Sequence, residues 1–455
     1  MKRTLLLLAS VTPLLLAACT SESNLPTPTG KGAVRAINAI AGSPEMNFII
    51  EETLVSIDRS PVPPVTYKNS TPPAAYDDFS YDFRFEFINP GDSTVTILAT
   101  QTLKIDADQE HILLVSGSLD APAITVWTGA SREFSDTDTA FEVRFAHASP
   151  TLGNVDVYFE DPAVVPGTNP PAATLAFGEI ADAADFEEGV HVMTVTAEGD
   201  PGVVHFTSQE VDLLPRFAHV MTIFDGDASD TAPVLVRSMT TVGNPLTLTD
   251  ANYPPQIRLV HGANTLQTVD VYDDEALTSL VVGGLDFRTA TAYLDAGDAE
   301  RTFYFTPAGS TATVLYERII PAPIPGAYKD LFLFGDTDNW SSTYLVPNRA
   351  LATNAATLRL FNAALNHPSV DVYSSDRGAE LDDNAIALIR ATYGAEIPTV
   401  LLQEGNIDLY FTVAGEETVI AGPYPVDATL NSTLELLLVD VVDPLFAEIV
   451  DITQP

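Results

Sequence analysis

The hydrophobic pattern of the chain is one of short alternating runs. Val155 and Val157, and again Val190 and Val192, alternate with polar or aromatic neighbours, and β-branched residues dominate such runs. A period of two with branched side chains predicts half-buried strands. Clusters of Gly, Pro, Asn and Asp separate the runs at short intervals, which predicts a sandwich. Helical periodicity is nearly absent. Its one candidate is Asp383 to Tyr393, where Ile386, Leu388 and Ile389 would form a helical face.

The same frame recurs four times. Val34-Arg35-Ala36-Ile37-Asn38-Ala39, Val143-Arg144-Phe145-Ala146-His147-Ala148, Ile257-Arg258-Leu259-Val260-His261-Gly262 and Leu358-Arg359-Leu360-Phe361-Asn362-Ala363 place their arginines 109, 114 and 101 residues apart. Twelve residues after the last three arginines comes Val-Asp-Val-Tyr, carrying Asp156, Asp270 and Asp371; the first copy has Met46-Asn47-Phe48-Ile49 there. Gly91, Gly189, Gly297 and Gly405 each precede a long apolar run, and a strand–turn–strand pattern closes each copy roughly 77–82 residues after its arginine.

Apolar periodicity lapses at Ser135-Asp136-Thr137-Asp138-Thr139, at Thr249 to Pro255 and at Ala352 to Ala356. The expected units are therefore 33–136, 137–250, 251–353 and 354–455. A unit of this size buries enough surface to fold without disulfides. Seven or so short strands per unit predict an all-β chain of four tandem immunoglobulin-like sandwiches, joined end to end as a semi-rigid array.

Composition narrows the function classes. The chain has 455 residues, 62 acidic against 21 basic side chains, a formal charge of −41 and 46% hydrophobic residues. The apolar content excludes a disordered acidic tail. The charge argues against nucleic acid as a partner, because a phosphate backbone needs a basic face. A single cysteine allows no internal disulfide and no four-cysteine metal cluster.

That cysteine lies in an address. Lys2 and Arg3 precede an apolar stretch from Thr4 to Leu16, and then comes Leu16-Ala17-Ala18-Cys19. This is the layout of an export signal, too short for a spanning helix. Leu-Ala-Ala-Cys resembles the lipobox of bacterial lipoproteins. The resemblance implies removal of the signal peptide 1–18, acylation of Cys19 and a membrane partner reached through lipid. Thr20, in place of the aspartate that marks inner-membrane retention in enteric bacteria, points to the outer membrane. Residues 19–32 then form a lipidated, flexible tether containing Pro26, Pro28 and Gly30.

Val143 to Tyr158, with its Val-Arg-Phe-Ala-His-Ala-Ser-Pro and Val-Asp-Val-Tyr, closely resembles the start of a bacterial domain family of unknown function, number 4397. The third copy resembles it through Val260-His261-Gly262-Ala263 and Val269 to Tyr272. The fourth has Asn362 for the histidine, and the first has Asn38 and Asn47. The resemblance implies exported β-sandwich modules, often in tandem, and no activity.

The candidate chemistry is sparse. Arg35, Arg144, Arg258 and Arg359, with Asp156, Asp270 and Asp371, alternate with apolar residues and should point away from their own cores as structural pairs. An exposed pair contributes only about 0–1 kcal/mol. The competing reading is an anion site built on arginine and histidine. Histidine gives way to asparagine in two copies, which preserves a hydrogen bond but not proton transfer. His147, His191, His205 and His219 gather in one unit without the close spacing of a metal site. Asp225, Asp227 and Asp230, and likewise Asp336 and Asp338, resemble partial calcium loops without the terminal glutamate. Trp127 and Trp340 could stack on a sugar or fill a core. No nucleophile elbow or phosphate loop appears. No catalytic residue, metal ligand or cofactor is assigned.

The expected function is thus non-enzymatic: a lipid-anchored cell-envelope module with a structural, adhesive or interaction role, whose partner is a surface protein or glycan. The alternative is a ligand-binding lipoprotein that captures carbohydrate or calcium at turns or between units.

Overall fold

The computed structural model describes residues 27–455 except 53–56, 60–62, 91–93, 131, 241–244, 265–267, 337–338, 383–384 and 454–455. Cys19 and the signal segment lie outside the described residues. Within them the chain is all-β, with 36 strands in eight sheets.

The second unit shows the plan. Setting aside the short Val211–Leu213 and Leu246–Leu248, it has eight principal strands, of which the first, Ala140–His147, runs parallel to the seventh, Ala218–Asp225, with Arg144 opposite Val220. The fourth, Ala184–Glu187, and the eighth, Val234–Thr240, flank this pair antiparallel. The opposing sheet is antiparallel, in the order third (Ala173–Leu175), second (Val155–Glu160), fifth (Gly189–Ala197) and sixth (Asp200–Thr207). The orders four-one-seven-eight and three-two-five-six recur in the other units. Their first strands, Lys31–Asn38, Gln256–His261 and Ala356–Asn362, each run parallel to a seventh: Gln109–Gly117, Tyr328–Gly335 and Ser432–Asp440. This two-sheet sandwich has its own strand order, distinct from the ABED and CFG sheets of immunoglobulin constant domains.

Period-two alternation builds each core. Phe141, Val143 and Phe145 of the first strand meet Val155, Val157 and Phe159 of the second, with Met193, Val195, Met221 and Ile223 closing the space. Equivalent cores fill the first, third and fourth units.

The first and seventh strands are apolar on their outer faces too. Ile37, Ile112 and Leu114 of the first unit pack against Val220, Phe224, Leu235 and Met239 of the second. Val260, Phe332 and Phe334 of the third pack against Phe361, Leu437 and Val439 of the fourth. The rings of Phe332 and Phe361 stack at 4.0 Å. The units therefore form two face-to-face pairs, and each pair shares a core of its own. Contacts also link the pairs. The Arg349 amide donates to Ser229 Oγ (2.7 Å), Gln209 Nε2 donates to Pro325 O (2.9 Å), and the Thr353 amide donates to Gly42 O (2.9 Å).

This corrects the expected end-to-end array. The joint between the third and fourth units touches the first at Gly42, so the units do not extend as a string. The physical reason is the second apolar face, which must be buried against another sheet. The helix expected over 383–393 is a second correction. Its described residues contain the strand Ile389–Thr392, and Ile386 is fully in solvent while Leu388 packs on the core. No continuous helical face exists there to bury.

Candidate functional site

The four arginines do leave their own cores, as alternation requires, but the neighbouring unit covers them; all four are at most 3% exposed. Arg35 binds Glu110 at 2.7 Å and reaches Met239 O of the second unit at 3.4 Å. Arg144 pairs with Glu142, lies 3.7 Å from Glu110 of the first unit and covers the Trp127 ring at 4.2 Å. Two guanidinium groups thus face two carboxylates inside the first interface.

The second interface is a reciprocal cross. Arg258 binds Asp330 of its own unit through two bonds (3.1 and 2.8 Å) and Glu435 of the fourth unit (2.5 Å). Arg359 binds Glu435 of its own unit (2.6 Å) and Asp330 of the third (3.3 Å). Glu396 also holds Arg359, Arg349 joins Glu435 at 3.1 Å, and the Tyr293 hydroxyl donates to Asp330 at 2.8 Å. Three cations meet three acids. Burial outweighs the Arg359 attraction at Glu396 and pushes its carboxyl up to about 7. The Tyr293 hydroxyl is pushed up by burial and by Asp330. Such a buried network fixes geometry more than it adds net stability, but deleting one member strands a charge.

Glu110, Asp330, Glu435, Glu142 and Glu396 were not singled out from sequence. A signal existed for three of them: an acid stands just before the long apolar run of the seventh strand at Glu110, Asp330 and Glu435.

The histidine/asparagine position plays one role in all four units. Asn38 Oδ1, His147 Nδ1, His261 Nδ1 and Asn362 Oδ1 each accept the amide two residues on, at 3.0–3.3 Å. Asn38 Nδ2 donates to Val65 O, His147 Nε2 to Gly153 O and Asn362 Nδ2 to His367 O, at 2.9–3.1 Å. One acceptor and one donor suffice, so neutral imidazole and carboxamide interchange. Burial holds the His147 imidazole below its usual pKa.

The aspartates are turn anchors. Asp156, Asp270 and Asp371 are buried, and each accepts a glycine amide from the hairpin after the fifth strand: Gly199 (2.8 Å), Gly309 (2.7 Å) and Gly415 (2.7 Å). Those glycines have φ of 72°, 72° and 76°, the left-handed region where a side chain is strained. Arg390 grips Asp371 with two bonds (2.7 and 2.8 Å) and holds its carboxyl below the usual range.

The remaining candidates disperse. His147, His191 and His219 have separate partners: Gly153 O, Gly189 O and Ser238 Oγ. Among the described residues no three histidine, cysteine or acid side chains converge on a metal position. The Asp-rich turn is clasped by the first unit, because Lys68 Nζ binds Asp227 (2.8 Å) and Asp230. Asp225 Oδ1 accepts from Thr151 (2.7 Å) and Ser149. Asp336 caps Asn339 at 2.9 Å, and Asp338 lies outside the described residues. Trp127 is half-buried at the first interface; Trp340 stacks on His261 and Tyr316 at 6.3 and 6.1 Å. One cleft of about 250 Å³ opens on the second unit, where residues 161–172 fold beside the second and fifth strands. Tyr158, Glu160, Asp161, Thr194 and Thr207 supply its polar wall.

A family model described as "Domain of unknown function (DUF4397)" matches residues 32–158 and 255–373, together more than half of the chain. The first matched span contains Arg35 and Arg144, and the second contains Arg258 and Arg359. No curated protein matches the chain. Among solved structures, the Bacillus anthracis TIE protein is similar with a TM-score of 0.16 and 8% identity over 87% of this chain and 67% of that one. A product complex of the multi-modular glycogen-degrading pneumococcal virulence factor SpuA gives 0.15 and 8% over 86% and 37%. Similarities of that size carry no argument.

Proposed function

The chain belongs to the DUF4397 family of domains of unknown function, and from that premise we propose that it is a non-enzymatic, lipid-anchored cell-envelope protein acting as a structural, adhesive or interaction module. In this reading it carries four copies of one blueprint, Cys19 holds the lipid, and the outer membrane is its site. One observation supports it above the rest. The polar residues that recur are occupied by architecture: arginine by the interfaces, histidine or asparagine by a loop, aspartate by a glycine turn. A scaffold that presents its surface, rather than a reacting group, fits that use of its polar residues.

The cleft of about 250 Å³ on the second unit favours a second reading, a ligand-binding lipoprotein for carbohydrate. The test uses the full chain and its Cys19→Ala variant for fractionation, and the soluble chain from residue 20 for glycan-array and surface-protein capture. The proposal expects membrane partition that is lost in Cys19→Ala, and capture of a macromolecular partner that survives Tyr158→Ala and Thr194→Ala. Capture of a single glycan that those cleft variants abolish would favour the second reading. Membrane partition unchanged by Cys19→Ala would remove the anchor.

A further inference from the structure

We propose that the sixth strand of the first unit, Val95–Lys104, is an edge at which two copies of this chain join antiparallel. The inference rests on the interaction-module reading and names its partner.

The strand ends its sheet, whose order is three-two-five-six, and among the described residues nothing pairs with its outer side. It is ten residues long and reads VTILATQTLK, without proline, glycine or acid. Its one register shift, at Leu98, leaves Ala99–Lys104 paired with Ser80–Phe85 without interruption. Ile88, Val95 and Ile97 stand 53–58% exposed at one end. Long edges rich in branched residues template further strands where they are not blunted, and the six residues after the shift form such a stretch.

The equivalent edges are blunted. Asp200–Thr207 contains Pro201 and two register shifts. Tyr316–Ile320 has five residues and carries Glu317 and Arg318. Val419–Ala428 contains Pro423 and Pro425 and two further shifts. Proline removes the donor a ladder needs. The eighth strand of the first unit, an edge of the opposing sheet, faces the second unit, where Trp127 reaches Asp182 at 3.4 Å.

Charge selects a second copy as the occupant. A chain of net −41 repels its own kind nearly everywhere. Around this edge Arg84 offsets Glu86 at 2.9 Å and Lys104 offsets Asp106 at 2.6 Å, and the strand itself carries one charged residue, Lys104, which an antiparallel copy centred on Thr100 sets opposite the neutral Thr96. Two copies related by a two-fold axis would continue one four-stranded sheet into eight strands, an isologous contact that closes at a dimer. Residual repulsion between the acidic bodies gives a signature, since salt should strengthen the pairing.

The test is sedimentation velocity of the soluble chain from residue 20 at low and high salt. A concentration-dependent dimer is expected, tightening with salt and weakened about tenfold or more by Thr100→Pro and by Thr100→Lys, which sets like charges across the axis. Single cysteines at Val95, Ile97, Thr100 and Thr102 report the register: oxidation should cross-link the pairs near the axis and spare Arg318→Cys. A monomer at every salt and concentration overturns the proposal, as does a dimer indifferent to both Thr100 variants or uniform cross-linking that includes Arg318→Cys. A strict monomer that still captures a surface partner would sink this inference and leave the interaction-module reading intact.

Discussion

At the residue scale, the recurring positions behave as hydrogen-bond fittings. His147 must only accept from the Ser149 amide and donate to Gly153 O. His147→Asn, copying Asn38 and Asn362, should therefore change stability by less than about 1 kcal/mol, whereas His147→Ala leaves the buried Ser149 amide unsatisfied and should cost about 1–3 kcal/mol. Urea titration of both variants reads the difference, and equal losses would contradict the role. Glu396 supplies a pH signature. Its carboxyl is raised from 4.5 to about 7, so the fold disfavours its charged form. Its contribution is complete below pH 4.5 and lost as pH rises through 7. Relative to Glu396→Gln, the natural chain should lose roughly 3 kcal/mol between pH 4.5 and 8. Parallel stability–pH profiles for the two proteins would refute this.

At the element scale, the first and seventh strands carry most of the architecture, because each is apolar on both faces. Truncating Phe361, which stacks on Phe332 across the second interface, should cost about 3–5 kcal/mol and expose the third and fourth units to proteolysis together. Native-like resistance in Phe361→Ala would argue against a shared core. These strands also mark what sequence made legible. Period two and turn residues were readable, because a strand with one buried face prints alternation directly. The outer burial of Arg35, Arg144, Arg258 and Arg359 was not, because alternation says only that a side chain leaves its own core. What covers it depends on a residue of another unit, as near as 29 or as far as 204 positions along the chain. The run Leu331-Phe332-Leu333-Phe334, apolar on both faces around Asp330, was the available hint. The 383–393 segment misled for a related reason. Spacing alone cannot separate a helical face from a loop that sends Leu388 inward and leaves Ile386 in water.

At the scale of the whole molecule, one blueprint is used twice over: within each unit, and again in the way units pair. The buried crosses of arginine and acid work as registration devices, because only one relative placement of two sheets satisfies every charge. A chain of high negative charge can then stay soluble while its cations are sequestered inside. Contact of the first unit, at Gly42, with Thr353 in the joint between the third and fourth closes the arrangement. Small-angle scattering of the soluble chain from residue 20, at low salt and low concentration, tests this most directly. A compact body of this length has a radius of gyration of about 22 Å, against roughly 40 Å for four domains in a line. We predict a value much nearer the compact figure, and a value near the linear one would contradict the paired, interlocked arrangement on which everything else rests.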